Sequence, residues 1–297
     1  MDEKRMEKFA EVFIEKIIKN KEYWKEIVEN REDSIKKCIE RGKNDREILK
    51  RLLIVKVTKG FWRPEVKFNK EDIRELKKRG IDIEEGHDFE KVVERNGDWT
   101  VEFFTRETGK IILSRALEKY YKGKEKNGEY ENLKKYFFDV ANGNIKKWIE
   151  NEIKHGNFEN IFGKGLKSKN IFLRDIGKFE FAPIDIHEKR FLIRTGIFQY
   201  YLEKKIDKTI INNPFDDTQI EKVLKQFSKN FLTGEIEGYK LANNPGIVDM
   251  FIWYHCAKKK EKNGKNIGGA GICGKNPRCN ECPLKGVCLT GMKTNYP

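Results

Sequence analysis

The chain has 297 residues, and its 62 Lys and Arg against 48 Asp and Glu leave a formal net charge of +14. Hydrophobic residues make up 38% and aromatic residues 12%, enough to bury a large core in one or two domains. No apolar run approaches the ~20 residues that cross a bilayer, so no membrane role is expected. The basic surplus suits a polyanionic partner, or else a set of solvated helix faces.

Along the chain the dominant signal is helical, and the fold class expected is mainly α. Residues 3–29 place Met6, Phe9, Val12, Phe13, Ile17 and Ile18 at three- and four-residue steps, which predicts a helix with one apolar face. This opening is charged, unlike a secretory leader, so a reducing, cytoplasmic setting is expected. Strand-like alternation is confined to 53–68, "LIVKVTKGFWRPEVKF". The segment "IFGKGLKSKNIFLRD" reads as helix, tight turn and a helix beginning near Leu166. Gly163 and Gly165 permit a sharp turn and leave amide N–H groups clear at a helix N-terminus, a geometry that binds phosphate and also serves ordinary helix–helix turns.

Asp185 precedes the helical pattern "IHEKRFLIRTG" and is a candidate N-cap. The stretch 216–232 predicts a helix with Ile220, Val223, Leu224, Phe227 and Phe231 inside and Asp217 or Thr218 as N-cap. Another helix is predicted from Asn244, with Pro245 in its first turn. Residues 261–272, "EKNGKNIGGAGI", read as a Gly- and Lys-rich loop leading to Cys273, Cys279, Cys282 and Cys288. Their C-x5-C-x2-C-x5-C spacing in a reducing compartment points to a metal site. Four cysteines suit structural zinc or a [4Fe-4S] cluster, and the single C-x2-C pair favours the cluster. Cys38 and Cys256 lie apart and are expected to be buried thiols, Cys256 being a spare ligand on the helix before the loop.

With these residues in view, the chain resembles the helix-hairpin-helix DNA glycosylases of the endonuclease III superfamily. Ile161, Phe162, Gly163, Gly165 and Lys167 occupy places of the pattern L-P-G-[VI]-G-x-K-[TV]-A, "PIDIHEKR" is similar to the following V-D-T-H block, and the tail resembles the superfamily's C-x6-C-x2-C-x5-C cluster loop. The stretch "FLRDIG" is similar to the matching helix of archaeal 8-oxoguanine DNA glycosylases that lack a cluster. The departures are a first cysteine gap of five residues, Phe162 in place of the proline and Lys169 in place of the alanine.

The resemblance implies a two-lobed helical glycosylase fold with a [4Fe-4S] loop. It divides the chain into 1–85, a helical region matching nothing in the family, 86–183, ending in the hairpin, and 184–297, ending in the four-cysteine loop. It also implies a nucleoid-associated monomer acting on double-stranded DNA that carries a damaged base. Lys167 is the implied nucleophile at C1′, forming a Schiff base that permits strand elimination, and Asp185 the implied carboxylate stabilising positive charge on the sugar. Gly163, Lys164, Gly165, Lys169 and His187 are implied DNA contacts. The reading is a bifunctional glycosylase and abasic-site lyase for an oxidised base, either 8-oxoguanine or an oxidised pyrimidine. The alternatives are a monofunctional glycosylase for mismatched, alkylated or deaminated bases, in which Lys167 contacts phosphate only, and a non-catalytic DNA-binding protein that contains a cluster or zinc.

Overall fold

A computed structural model describes residues 2–31, 33–45, 47–48, 51–52, 55, 70–78, 80–85, 145–155, 162, 166–204, 213–262 and 265–293. Helices dominate these residues, as the periodicity predicts. They are α1 (Glu3–Phe13), α2 (Lys21–Trp24), α3 (Ile35–Gly42), α4 (Lys70–Lys78), α5 (Ile145–His155), α6 (Leu166–Asp175), α7 (Ile186–Thr195), α8 (Ile197–Lys204), α9 (Asp217–Phe231), α10 (Pro245–Cys256) and α11 (Leu289–Lys293). Two antiparallel ribbons accompany them, β1 (Glu235–Ile236) with β2 (Tyr239–Lys240) and β3 (Lys258–Lys262) with β4 (Lys265–Ala270). Among the described residues no helix is long and apolar enough to cross a membrane.

The chain forms two units that are not sequential: Met1–Ile39 joins Leu173–Pro297, and Glu40–Phe172 makes the other. In the first unit the apolar face read over the opening residues is buried, with Met6, Phe9, Phe13, Ile17 and Ile18 all at 0 or 1% exposure. The face is not one continuous α-helix. α1 runs into a π-helical stretch at Ile14–Ile18, the chain breaks at Asn20, whose side chain accepts the Glu22 N–H at 3.0 Å, and α2 runs into a second π stretch at Lys25–Asn30. Ile17 and Ile18 in the first π stretch and Ile27 and Val28 in the second are buried. Phe9 and Phe13 stack with ring centroids 6.1 Å apart, and Phe191 of α7 and Phe227 of α9 close the aromatic cluster, Phe191 at 5.5 Å from Phe13.

At the centre lies α10, of whose twelve residues only Trp253 is not fully buried. A helix apolar all round must be enclosed, and α7, α9 and β4 pack on it. The predicted Pro245 start holds, with Asn244 as N-cap. α9 begins one residue earlier than its pattern predicts: Asp216, not Asp217 or Thr218, is the cap, accepting the Thr218 and Gln219 N–H groups.

The loop predicted over 261–272 is instead mostly ribbon. β3 and β4 pair through the backbone, with Lys260 opposite Ile267 and Lys262 opposite Lys265, so the ribbon needs no apolar alternation to announce it. Gly269 explains why its strand is glycine-rich, because a Cβ there would sit 1.9 Å from the Tyr254 carbonyl oxygen. Residues 53–68 fall almost wholly outside the described set. In the second unit α4 buries Ile73 and Leu76, with Glu71 and Asp72 in its first turn and Lys77 and Lys78 in its last, matching the helix dipole.

Candidate functional site

The site is built around α7. Asp185 caps it: its Oδ1 accepts the His187 N–H at 2.6 Å, and Glu188 reaches back so that its Oε2 accepts the Asp185 N–H at 2.8 Å. This reciprocal capping box fixes the start of the helix and leaves Asp185 half-buried. His187 is also half-buried, its ring edge-on to Trp253 at 6.3 Å. The helix stops at Gly196, whose φ of 87° supplies the left-handed C-terminal turn.

Behind the cap lies a buried ion network. Arg174 at the end of α6 donates through Nη1 to Asp249 Oδ2 at 2.7 Å and through Nε and Nη2 to Asp175 Oδ1 at 3.0 and 2.9 Å. Its Nη2 also lies 3.6 Å from Asp33, which Arg31 grips at 2.8 Å. Arg31 in turn sits over the Trp253 ring, 4.6 Å from its centroid. Burial works against the Arg174 charge, but Asp175, Asp249 and Asp33 outweigh it and hold the guanidinium more firmly protonated than usual. Burial pushes Asp249 up to about 7 despite Arg174. Burial, then the charges of Asp185 and Asp249, hold Glu188 well above the carboxylate range.

The other end of α7 holds the cysteine loop. Arg194 Nη1 donates to the carbonyls of Cys273 at 3.1 Å and Gly274 at 2.6 Å, and its Nη2 donates to Lys275 O at 3.2 Å. The Thr290 hydroxyl donates back to Arg194 O at 2.9 Å, and Cys288 Sγ lies 3.4 Å from the same oxygen. Cys273, Cys279, Cys282 and Cys288 line one hollow of about 20 Å³ together with Arg194 and Ile272. Backbone N–H groups of Leu284, and of Thr290 and Gly291, favour the charged forms of Cys282 and Cys288, but burial outweighs them. Burial pushes the Cys282 thiol up to about 12, whereas a hydrogen bond from Cys256 and then Arg194 bring Cys273 down to about 6. Among the described residues no three His, Cys, Asp or Glu side chains converge closely enough to grip a single metal ion.

The predicted residues therefore divide. The four cysteines share one hollow, and Asp185 and His187 share one cap. Lys167 and Lys169 lie on the first turns of α6, both half-buried, in the unit that ends at Phe172. Gly163, Lys164 and Gly165 lie outside the described residues. Phe162, which stands where the hairpin signature has proline, is buried and stacks on Phe172 at 5.7 Å. Cys38 and Cys256 are buried free thiols, as expected.

Sequence reading missed Arg174, Asp249, Glu188, Arg194 and His255. The last is fully buried, its Nδ1 3.2 Å from the Tyr23 hydroxyl and its Nε2 3.6 Å from Cys282 Sγ. Burial lowers it to about 4, so the ring is neutral and bridges a phenol to a cysteine of the loop. The available signal was slight: "HC" closes α10 just before the ribbon, and a Glu stands three residues after Asp185.

A helical protein with a capped, half-buried aspartate and a four-thiol loop stapled to the same helix is the class these elements define. The chain is similar to the 8-oxoguanine DNA glycosylase/AP lyase of Thermoplasma acidophilum, 34% identical over 98 residues, which are 32% of this chain and 37% of that protein. It is also similar to the proteins of the same name from Saccharolobus solfataricus, 28% over 135 residues, 42% of this chain and 58% of that one, and from Thermoplasma volcanium, 28% over 96 residues, 32% and 37%. The chain thus spans about a third to somewhat over half the length of these curated relatives. No family model matches it, and no solved structure does.

Proposed function

We propose that this protein is a bifunctional DNA glycosylase and abasic-site lyase acting on double-stranded DNA that contains an oxidised base, with 8-oxoguanine the first substrate to test. The carrying observation is Asp185, a half-buried carboxylate fixed at a helix start by reciprocal hydrogen bonds, in a chain similar to proteins named 8-oxoguanine DNA glycosylase/AP lyase. Releasing a base develops positive charge at C1′, and a carboxylate held in place beforehand stabilises it without reorganising. In this reading the target nucleotide leaves the duplex before reaction. The neutral Lys167 amine attacks C1′ and the glycosidic electron pair leaves with the base; the C1′–O4′ bond of the resulting aminal then opens as O4′ takes up the amine proton, and the Schiff base so formed permits strand elimination. Gly163, Lys164, Gly165 and Lys169 hold the backbone phosphates from a helix-hairpin-helix, with His187 beside Asp185.

The cysteine loop is proposed to carry a [4Fe-4S] cluster, ligated by Cys273, Cys279, Cys282 and Cys288. The donor set suits such a group: four cysteines line one hollow, and Arg194 lies 3.8 Å from Cys273 Sγ, where it offsets thiolate charge. The cluster supplies a rigid cross-link for the loop. The chemistry of base release stays with Asp185 and Lys167.

Asp185→Asn tests the reading, because asparagine caps helices as well as aspartate and removes only the charge. Single-turnover base release from 8-oxoguanine, thymine glycol and uracil duplexes is expected to be lost with the fold retained by circular dichroism. Full release by the folded variant would remove Asp185 from the mechanism.

A further inference from the structure

The two acidic side chains that open α7 occupy opposite environments. Asp185 is half-buried at the positive end of the helix dipole and takes a backbone N–H, both of which favour its ionised form. Glu188 is 1% exposed. Its Oε2 accepts the Asp185 N–H, whereas its Oε1 is buried without a hydrogen-bond partner. The groups acting on it most strongly are carboxyls, Asp185 from its own helix and Asp249 from α10. Arg174, the cation behind Asp249, is already committed to Asp249 and Asp175 at 2.7–3.0 Å.

Charge balance points the same way. Asp33, Asp175, Asp185, Glu188 and Asp249 form one connected set with Arg174 and Arg31 as its guanidinium groups. Ionising Glu188 as well would add a further buried negative charge with no cation engaged to it among the described residues, a cost avoided by keeping its proton. Asp249 and Asp175 are paired with Arg174, and Asp185 has its helix terminus, which leaves Glu188. A protonated Oε1 also ends that oxygen's isolation, because it then has a hydrogen to give to carboxylates already against it. The raised affinity of Glu188 for a proton agrees.

We propose that Glu188 is a positioning residue that works as a neutral carboxylic acid: Oε2 accepts the Asp185 N–H while Oε1 shares its proton with the carboxylates of Asp185 and Asp249. Its effect on catalysis rests on the glycosylase reading above. A neutral neighbour leaves Asp185 free to stay ionised, where a second carboxylate would force it toward protonation. The relay also ties the orientation of Asp185 to the Arg174 network instead of to solvent.

The experiment compares the full chain with Glu188→Gln, which keeps an acceptor and a donor without charge, and Glu188→Met, which keeps volume alone. Infrared difference spectra of wild type against Glu188→Gln at neutral pH are expected to contain a protonated-carboxyl C=O band in the wild type. Base release from an 8-oxoguanine duplex is expected to slow by on the order of tenfold to a hundredfold in Glu188→Met and to be rescued in Glu188→Gln. Absence of the band, or a Glu188→Gln variant that is folded but as slow as Glu188→Met, would overturn the proposal. Should the band be present while wild type releases no base from any lesion, the positioning role falls with the glycosylase reading. The band then separates that failure from an error about where the proton sits.

Discussion

Arg174 is the residue on which most of the described polar structure depends. Its guanidinium satisfies two fully buried aspartates at once, so substituting it strands their charges. Arg174→Met is expected to destabilise the protein by about 3–5 kcal/mol, the range for removing one partner of a buried pair, measured by denaturant unfolding. The Asp249 carboxyl behind it binds its proton more tightly folded than unfolded, the reverse of a surface salt bridge. Between the unfolded aspartate value of about 3.9 and the folded Asp249 value of about 7, the native state therefore holds more protons, and the stability from this group is present at low pH and lost as pH rises. Glu188 acts in the same direction. Titrating unfolding free energy against pH should show wild type losing stability relative to Glu188→Gln as pH rises above the unfolded glutamate value of about 4.3; a flat difference would contradict the assignment. Asp185 was legible in the sequence because a helix cap is a local pattern. Asp249 was not, because its partner Arg174 lies 75 residues earlier and only the fold brings them together.

At the scale of elements, α7 links the two chemistries, with the capped aspartate at its start and Arg194 clasping the cysteine loop at its end. The proposed cluster should persist only while Arg194 and the four cysteines are all present. The protein purified without oxygen is expected to show broad visible absorption that bleaches on reduction, with iron and sulfide in equal amounts. Cys282→Ser should lose this absorption and Arg194→Leu should lose it faster on exposure to air. A colourless, zinc-loaded wild type would contradict the cluster assignment. The cysteine spacing announced this loop, and the Asn244–Pro245 step announced α10. The β3–β4 ribbon went unseen because backbone pairing and the close approach at Gly269 leave no apolar period to read. The interruption of the opening helix at Asn20 was hidden likewise, since apolar residues are buried on both sides of it.

For the whole molecule, mainly helical character followed from periodicity, whereas the division into units did not. Residues 1–39 supply Phe9 and Phe13 to a core shared with α7 and α9, an association nearly two hundred residues distant in the chain that no local composition change marks. The net charge of +14 is consistent with a DNA partner and equally with solvated helices, so affinity and its salt dependence do not separate catalyst from binding protein. Covalent chemistry does. The most direct measurement is borohydride trapping of wild type and Lys167→Ala on duplexes carrying 8-oxoguanine, thymine glycol, uracil or an abasic site. The account predicts a protein–DNA adduct on the 8-oxoguanine duplex that disappears in Lys167→Ala. Base release without any adduct, or an adduct that survives the substitution, would contradict it.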